Sequence, residues 1–489
     1  MDYGYYLYLV GAEIGLSITA LVLLLATAWR PRSGNTVTIV SVAALVGATV
    51  FTAALMNNGT AGPGAEAFGG LFRLDAFAGF AKLVIYLATI ACLILSPRFF
   101  DARGVYRGEY PVLMLLSAIG MGMMVSAVDL MTLYIGLELS SLASYVLASF
   151  ARNDTRSAEA GLKYFVLGAL ASGILLYGMS LIYGFTGSTN YAVIREALTG
   201  DLGAGALFGV VFVLAGLAFK VAAVPFHMWT PDVYQGAPTP VTAFFASASK
   251  ISAAAVLARM ALFAFGEQLG GWQQIVIFAA LASIILGALG AIGQEDLKRV
   301  LAYSSINNVG FLLIGLATGT AAGAEAMLVY LAIYAAMTIG SFAALLMLMD
   351  ADGAPLTTFA DISGLASRKP ALALCVLVLM FSLAGIPPLF GFWAKFVVFQ
   401  AAVQADMVAL AAIGIAASVI GAFYYIKFVK VMYFDAPTIG DARAVAPSPT
   451  GHWVVLTIAT LIVSPLGFLL TPWLGGWADR AASSLFLAA

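Results

Sequence analysis

Cysteine and histidine are almost missing from this chain of 489 residues. Its two cysteines, Cys92 and Cys375, lie inside apolar runs, and its two histidines are His227 and His452. Two cysteines cannot build a disulfide framework, and the four side chains together offer too few ligands for haem, iron–sulfur or zinc. Any electron transfer must therefore take place in another chain. Charge is scarce as well: Asp, Glu, Lys and Arg make up 10% of the residues, against about 25% in soluble proteins. A formal net charge of −1 leaves no basic footprint for nucleic acid.

Hydrocarbon is what the chain has in quantity, with 62% hydrophobic residues. Read against the ~20 residues needed to cross a bilayer, its apolar runs predict about fourteen spans. They lie near 7–29, 37–56, 75–97, 111–128, 130–150, 160–185, 205–225, 240–264, 272–293, 299–318, 326–348, 371–403, 406–434 and 452–473. The expected fold is an all-α polytopic membrane protein. The first run opens on uncharged, Tyr-rich sequence without a basic leader, so it reads as a retained helix and not a signal peptide. Asp129 alone separates the fourth and fifth runs.

Basic residues fall on one set of alternate loops: Arg30, Arg32, Arg98, Arg103, Arg107, Arg152, Arg156, Lys298, Arg299, Arg368, Lys369 and Arg443. The opposite set holds little beyond Arg73, Arg195 and Arg480. The excess of Lys and Arg on cytoplasmic loops puts the first set inside, and an even number of spans then leaves both termini outside.

Two segments interrupt the helical pattern in matching places. One runs from Val224 to Pro240 after the seventh span; the other is Gly385-Ile-Pro-Pro-Leu-Phe-Gly-Phe392, within the twelfth. Proline removes a backbone donor and crowds the preceding turn, so proline clusters at membrane depth mean discontinuous helices, with unwound backbone expected at Pro225–Pro231 and Gly385–Pro388. Counted from the fourth span, spans 4–8 and 9–13 form two units of five, each with its broken helix fourth. Five is odd, so the second unit enters the membrane from the other side: an inverted repeat, the arrangement that places transport sites at midplane. The expected divisions are residues 1–110 with three helices, 111–265 and 266–435 for the two repeats, and 436–489 for a last helix and tail.

Charges interrupt the hydrocarbon near these breaks. Lys220 precedes Pro225, Lys395 follows Pro388, Lys250 sits mid-span in the eighth run, Lys163 opens the sixth, and Glu138 lies within the fifth. A charge at the centre of a membrane helix costs roughly 2.5–3.5 kcal/mol on insertion scales, so such groups face a wet interior and act there. A partly desolvated ammonium can give up its proton near neutral pH, whereas guanidinium keeps it. Several lysines thus indicate a path for protons or cations. A purely structural buried ion pair is the competing explanation for Lys220, Lys250, Lys395 and Glu138. Lys163, Lys82 and Arg259 lie close to the ends of their runs, and for the last two snorkelling to the surface is the expectation. Glu13 is open between a subunit contact, an interfacial residue and a proton site. His227 is expected to bond frayed backbone at the break.

The stretch Leu217-Ala-Phe-Lys-Val-Ala-Ala-Val-Pro-Phe-His-Met-Trp-Thr-Pro-Asp-Val-Tyr-Gln-Gly-Ala-Pro-Thr-Pro-Val241 closely resembles the signature of the antiporter-like membrane subunits of respiratory complex I. Supporting matches are Leu137-Glu-Leu-Ser140, Asp296-Leu-Lys-Arg-Val-Leu-Ala-Tyr-Ser-Ser-Ile306, and Ser382-Leu-Ala-Gly-Ile-Pro-Pro388 with Gly391-Phe-Trp-Ala-Lys395. The resemblance spans essentially the whole chain. It implies a proton-translocating subunit without redox cofactors of its own, driven by quinone reduction elsewhere; NADH, FMN, iron–sulfur clusters and quinone would belong to other subunits. It implies Glu138 and Lys220 as a coupled pair, Lys250 as central relay and Lys395 as terminal donor towards the outside. Lys163 would tune Glu138 or help proton entry, with Lys298, His227 and Tyr303 as accessory positions. The implied partners are lipids and other complex I membrane subunits, especially the antiporter-like subunit M and the small subunit K. Lysine at 395 speaks against subunit M itself, which has glutamate there.

Three other readings are compatible with parts of this pattern. An Mrp-type cation/proton antiporter subunit shares the fold and lysines, though the Tyr234-Gln-Gly-Ala-Pro238 wording argues against it. The photosynthetic NAD(P)H-dehydrogenase-like complex has a related subunit with a different electron donor. A membrane scaffold would explain the polar sites but not the paired breaks. The full fourteen-span length suits a bacterial inner membrane better than the shortened animal mitochondrial version.

Overall fold

Apolar runs surrounded by lipid can satisfy their backbone polar groups only internally, and so they fold as helices. A computed structural model of the chain describes residues 3–30, 33–60, 62, 65–200, 203–350, 353–437 and 446–486; Arg32 and Arg443, used above for orientation, lie outside them. Among the described residues twelve helices are long and apolar enough to cross a membrane. They are Gly11–Trp29, Gly34–Asn57, Ala76–Asp101, Glu109–Ser126, Leu130–Ala148, Thr155–Thr186, Gly203–Val221, Thr239–Ala264, Gly266–Ile292, Leu297–Ala317, Ala321–Met347 and Val408–Tyr433. These correspond to the first eleven expected spans and the thirteenth. The twelfth is present in two halves, Pro370–Ala384 and Phe390–Gln404. The fourteenth is shorter than expected: Thr450–Val463 ends at Ser464 and the chain turns by 72° into Pro465–Ser483.

Short polar residues start these helices. The side chains of Asp75, Asp129, Asp154, Asp296 and Thr320 each accept from backbone N–H groups in the first turn, satisfying donors that have no intrahelical partner. Asp129 thus separates two spans with almost no connector because it caps the second of them.

One junction occurs twice. Between the fourth and fifth spans, Asp129 pairs antiparallel with Asn190, which lies between the sixth and seventh. Leu130 N donates to Thr189 O at 2.9 Å and Tyr191 N to Val128 O at 2.9 Å. Between the ninth and tenth spans, Asp296 pairs in the same way with Thr358, between the eleventh and twelfth. There Leu297 N donates to Thr357 O at 2.7 Å and Phe359 N to Glu295 O at 3.2 Å. Each junction joins the first-to-second connection of a five-helix unit to the third-to-fourth connection of the same unit. Close packing repeats too. A Cβ on Gly120 would come within 2.6 Å of Gly136 O in the fifth span, and one on Gly287 within 2.5 Å of Asn307 N in the tenth.

The fourth helix of each unit is broken. The seventh span stops at Val221, Ala222 takes φ 63°, and the Val224–Pro225 bond is cis. Helix resumes at Trp229–Gly236. The unwound stretch is therefore shorter than expected: Pro231 falls within the first turn of the resumed helix, where a missing N–H costs nothing. The twelfth span stops at Ala384, Gly385 takes φ 82°, the Pro387–Pro388 bond is cis, and helix resumes at Phe390. The eighth, tenth and eleventh spans are enclosed by other helices, whereas the first and second bury one face only. The eighth carries a π-helical turn, Phe245–Ser249, immediately before Lys250, a local widening that often marks functional positions.

Candidate functional site

Lys220 closes the first half of the seventh span, one residue before the break. Its Nζ donates to Ser141 Oγ at 2.6 Å and to Tyr145 OH at 3.4 Å, both on the fifth span. Glu138 sits one turn before Ser141 on that helix. No ion pair joins it to Lys220 among the described residues: Glu138 Oε1 is buried without a hydrogen-bond partner, although the carboxylate is near enough to act on the lysine electrostatically. Lys220 thus meets a hydroxyl rather than the carboxylate with which it was expected to be coupled. Beside Lys220 a cavity of about 10 Å³ is lined by Ser141 and Ser144 of the fifth span and by Ser249 and Ser252 of the eighth. That is room for about one water, next to the serines that flank Lys250.

Lys250 is buried in the middle of the eighth span. Its Nζ donates to Ser305 Oγ at 2.5 Å and lies 5.9 Å from the centre of the Tyr234 ring. Ser305 Oγ also bonds Tyr334 OH at 2.7 Å. One turn along the tenth span, Asn308 donates to Ser304 O at 2.7 Å and Tyr425 OH at 3.2 Å, and accepts from Tyr330 OH at 2.6 Å. Ser304 Oγ meets Tyr425 OH at 2.6 Å. A further turn brings Phe311, whose ring centre lies 4.6 Å from Lys395 Nζ. Lys395 itself donates to Ala384 O at 3.0 Å and Ser418 Oγ at 3.1 Å. The acceptor at Ala384 is one of the carbonyls freed by the break in the twelfth span.

The three mid-membrane lysines therefore have the same kind of surroundings: hydroxyls, a carbonyl and aromatic faces, and no carboxylate within ion-pair distance among the described residues. Hydroxyl neighbours both donate and accept, so they can pass a proton; a carboxylate in contact would hold the ammonium charged.

Lys163 is placed elsewhere. It is partly exposed and pairs with Glu159 at 2.7 Å and Asp232 at 2.8 Å. Asp232 also takes Arg299 Nη1 at 2.7 Å. The structure joins Lys163 to the resumed half of the broken seventh span, not to Glu138. Asp232, the single charged residue of that short helix, was passed over in the sequence. Lys298 is buried, its Nζ on Ala237 O at 2.7 Å. His227 lies half-buried within the break beside the Pro225 backbone. Tyr303 neighbours Arg299 and packs over Gly290. Ser305, Asn308, Tyr330, Tyr334 and Tyr425 were not singled out either; an Asn pair in an otherwise apolar run was the available signal.

Two expectations of snorkelling fail. Lys82 is 1% exposed and its Nζ meets Glu13 Oε1 at 2.6 Å. Arg259 is 2% exposed and forms a two-pronged pair with Asp75, at 2.8 and 2.7 Å. Both cations stand near helix ends, but other helices cover them and a carboxylate from a neighbouring element compensates each. Glu13 is thereby a pairing residue inside the chain.

Among the described residues no group of three His, Cys, Asp or Glu is placed to hold a metal ion.

Residues 127–421 match the family model for NADH:quinone oxidoreductase/Mrp antiporter, TM. NADH-quinone oxidoreductase subunit N of Erythrobacter litoralis is 67% identical over 485 residues, covering 99% of this chain and 99% of that one. A chain of respiratory complex I from Thermus thermophilus superposes with a TM-score of 0.79 at 30% identity, over 94% of this chain and 97% of that one. A chain of the Mrp complex from Dietzia sp. has the same fold, with a TM-score of 0.84 at 24% identity over 99% of this chain and 98% of that one.

Proposed function

Because the chain belongs to the NADH:quinone oxidoreductase/Mrp antiporter family of membrane proteins, we propose that it is a proton-translocating membrane subunit of a bacterial NADH:quinone oxidoreductase, in the place that subunit N takes. It performs no redox chemistry; NADH, FMN, iron–sulfur clusters and quinone belong to other subunits. The Arg-rich face is cytoplasmic and both termini are outside, in the bacterial inner membrane. Its neighbours are the other membrane subunits, in particular subunit M and the small subunit K. The identity to subunit N of Erythrobacter litoralis, 67%, favours this over an Mrp-type antiporter subunit.

The observation that carries the mechanism is the hydroxyl-lined lysine series Lys220, Lys250 and Lys395 on the seventh, eighth and twelfth spans. A proton taken up from the cytoplasm reaches Lys220 and crosses through the Ser249 and Ser252 side to Lys250. It continues by way of Ser305 and Asn308 and leaves through Lys395. Glu138 acts on Lys220 at a distance: its charge favours the protonated lysine, and its neutralisation or displacement releases the proton. Lys163, Asp232 and Arg299 close the cytoplasmic end of the broken helix. Residues 111–265 and 266–435 serve as the two halves of the path, with 1–110 and 436–489 flanking them.

Replacing Lys250 with Ala in the assembled complex tests the reading. Quinone-linked turnover and pumping should both fall through coupling, and Lys250→Arg should restore little despite keeping the charge, because guanidinium does not release its proton. An assembled Lys250→Ala enzyme that pumps at the wild-type proton-to-electron ratio would show that the lysines are structural.

A further inference from the structure

A groove of about 650 Å³ runs along the surface of the bundle between the third, eleventh and fourteenth spans. Every residue lining it is Ala, Val, Leu, Ile, Phe or Trp. Ala88, Ala91, Ala332 and Ala336 leave the depression, and Leu87 and Ile458, both exposed, border it. Its lining on the third span runs from Phe80 to Ile94, about 21 Å at 1.5 Å per residue and so most of the ~30 Å of hydrocarbon. Trp473 and Trp477 of the terminal segment Pro465–Ser483 close its outer end, at the level where tryptophan is favoured between lipid tails and water.

The groove continues into a second cavity, of about 270 Å³, past Phe390 and Leu474, which line both. Here the lining turns polar, with Glu325, Gln400, Gln404 and Thr471. Glu325 and Val329 in this pocket share a face of the eleventh span with Ala332, Ala336 and Ile339 in the groove, by steps of three and four residues. Glu325 is half-buried and pairs with no cation among the described residues. Asp479 is near enough to act on it electrostatically, so two carboxylates share this corner. Thr471 Oγ1 is buried in the same wall without a hydrogen-bond partner. Arg480 follows Asp479, its guanidinium 5.9 Å from the centre of the Trp477 ring.

We propose that groove and pocket together hold one phospholipid of the outer leaflet whose headgroup ends in a primary ammonium, as in phosphatidylethanolamine. An acyl chain lies in the groove, the ammonium sits by Glu325 and Asp479, and the phosphate meets Arg480 at the mouth. A primary ammonium has three N–H donors, and Glu325, Thr471 and the amide oxygens of Gln400 and Gln404 accept them; a quaternary ammonium has none to give. A headgroup carrying only negative charge is repelled by the two carboxylates. The leaflet rests on the orientation proposed above; the headgroup chemistry does not. Phe390 opens the resumed half of the twelfth span, which carries Lys395, so the bound lipid supports the helix on which that lysine stands.

The test uses the full complex in phosphatidylcholine vesicles containing a trace of phosphatidylethanolamine with a photoreactive acyl chain. Parallel samples carry the same chain on phosphatidylcholine or phosphatidylglycerol, and labelled peptides are identified by mass spectrometry after illumination. The ethanolamine lipid should label the third, eleventh and fourteenth spans along the groove several-fold more than either of the others. Glu325→Gln should bring that labelling down to the choline level and leave the choline labelling unchanged. Ala336→Phe, which fills the floor, should lower labelling by all three lipids; where that variant does not assemble, Glu325→Gln decides alone. Equal labelling by the three lipids shows bulk lipid contact only and overturns the site. An unlabelled groove in the assembled complex overturns it too, because a neighbouring helix then lies there. An ethanolamine preference that survives Glu325→Gln overturns the headgroup assignment. Labelling is read independently of pumping, so a failure of the lysine relay leaves this outcome untouched.

Discussion

Lys250 and Asn308 are linked through one helix face: Lys250 Nζ donates to Ser305 Oγ at 2.5 Å, and Asn308 follows Ser305 by one turn, bonded to Tyr330 and Tyr425. The next turn brings Phe311 under Lys395. Residues 305, 308 and 311 share a stripe of the tenth span because three residues make nearly one turn. A span enclosed by other helices carries this stripe where lipid cannot reach, so its polar groups are satisfied by one another, by Lys250 and by the tyrosines of neighbouring helices.

Removing the first member should leave the lysine without its nearest acceptor. A buried charged donor left unmade costs about 1–3 kcal/mol, which is on the order of a tenfold change in a rate or population. Ser305→Ala should therefore slow pumping by about that factor in a complex that still assembles, whereas Tyr334→Phe, which removes only the far hydroxyl, should slow it less. Dye-reported acidification of inverted vesicles reads both. Equal pumping by Ser305→Ala and wild type would remove Ser305 from the path.

Asn308→Leu keeps the branched shape and breaks the chain of donors. Tyr330 and Tyr425 each lose a partner, and Ser304 keeps Tyr425. We expect the complex to assemble and quinone-linked turnover to fall several-fold, with Asn308→Gln recovering part of it. A Leu variant with full turnover and the wild-type proton-to-electron ratio would place the seam outside the route.

How far the sequence carried these conclusions depends on which physical signal each feature leaves. Spans and breaks were legible because hydropathy and proline act locally: a run of about twenty apolar residues has few alternatives to a helix, and Pro225, Pro387 and Pro388 cannot sit in an unbroken ladder. The mid-membrane lysines were legible because charge in hydrocarbon is rare. What lies opposite a side chain leaves no such mark. Lys82 and Arg259 looked like snorkelling residues because distance from a helix end says nothing about whether lipid or protein surrounds it; Glu13 and Asp75, at similar depth on other elements, were the clue. Glu138 and Lys220 looked like contact partners because opposite charges attract, but the lysine bonds Ser141, one turn along the same helix, instead. Asp232 bonds Lys163 and Arg299 on other helices, and sequence spacing carries no mark of a cross-helix partner.

Gly385 makes room for Lys395. A Cβ at this position would come within 2.9 Å of Lys395 Cδ and 3.3 Å of Nζ, and its φ of +82° disfavours side chains in any case. Left-handed backbone on a residue with a Cβ costs of order 1–3 kcal/mol, and here the displaced group is the lysine itself. Gly385→Ala should impair pumping more than it impairs assembly, because the lysine head is pushed away from Ala384 O and Ser418. Assembly measured on native gels and pumping measured on the same membranes separate the two effects. A variant that assembles and pumps normally would mean Lys395 tolerates another position.

The Glu13–Lys82 ion pair differs in its surroundings from the hydroxyl-bonded lysines proposed to carry protons. Unlike the three mid-membrane lysines, Lys82 meets a carboxylate directly, at 2.6 Å and with both side chains nearly inaccessible; a carboxylate in contact holds the ammonium charged. Removing one partner strands a buried charge, which typically costs about 3–5 kcal/mol, while replacing both by apolar or neutral groups of similar size is often close to neutral. Glu13→Gln alone and Lys82→Met alone should each reduce the amount of assembled complex and lower its thermal stability, because the pair ties the first span to the third. The double variant should recover most of both. Pumping per assembled complex should stay near wild type in all three, since the proposed path does not include this pair. Thermal denaturation followed on native gels, with proton-to-electron ratios from the same membranes, supplies every term. A double variant that assembles well but pumps poorly would move Glu13 and Lys82 from the scaffold into the proton path.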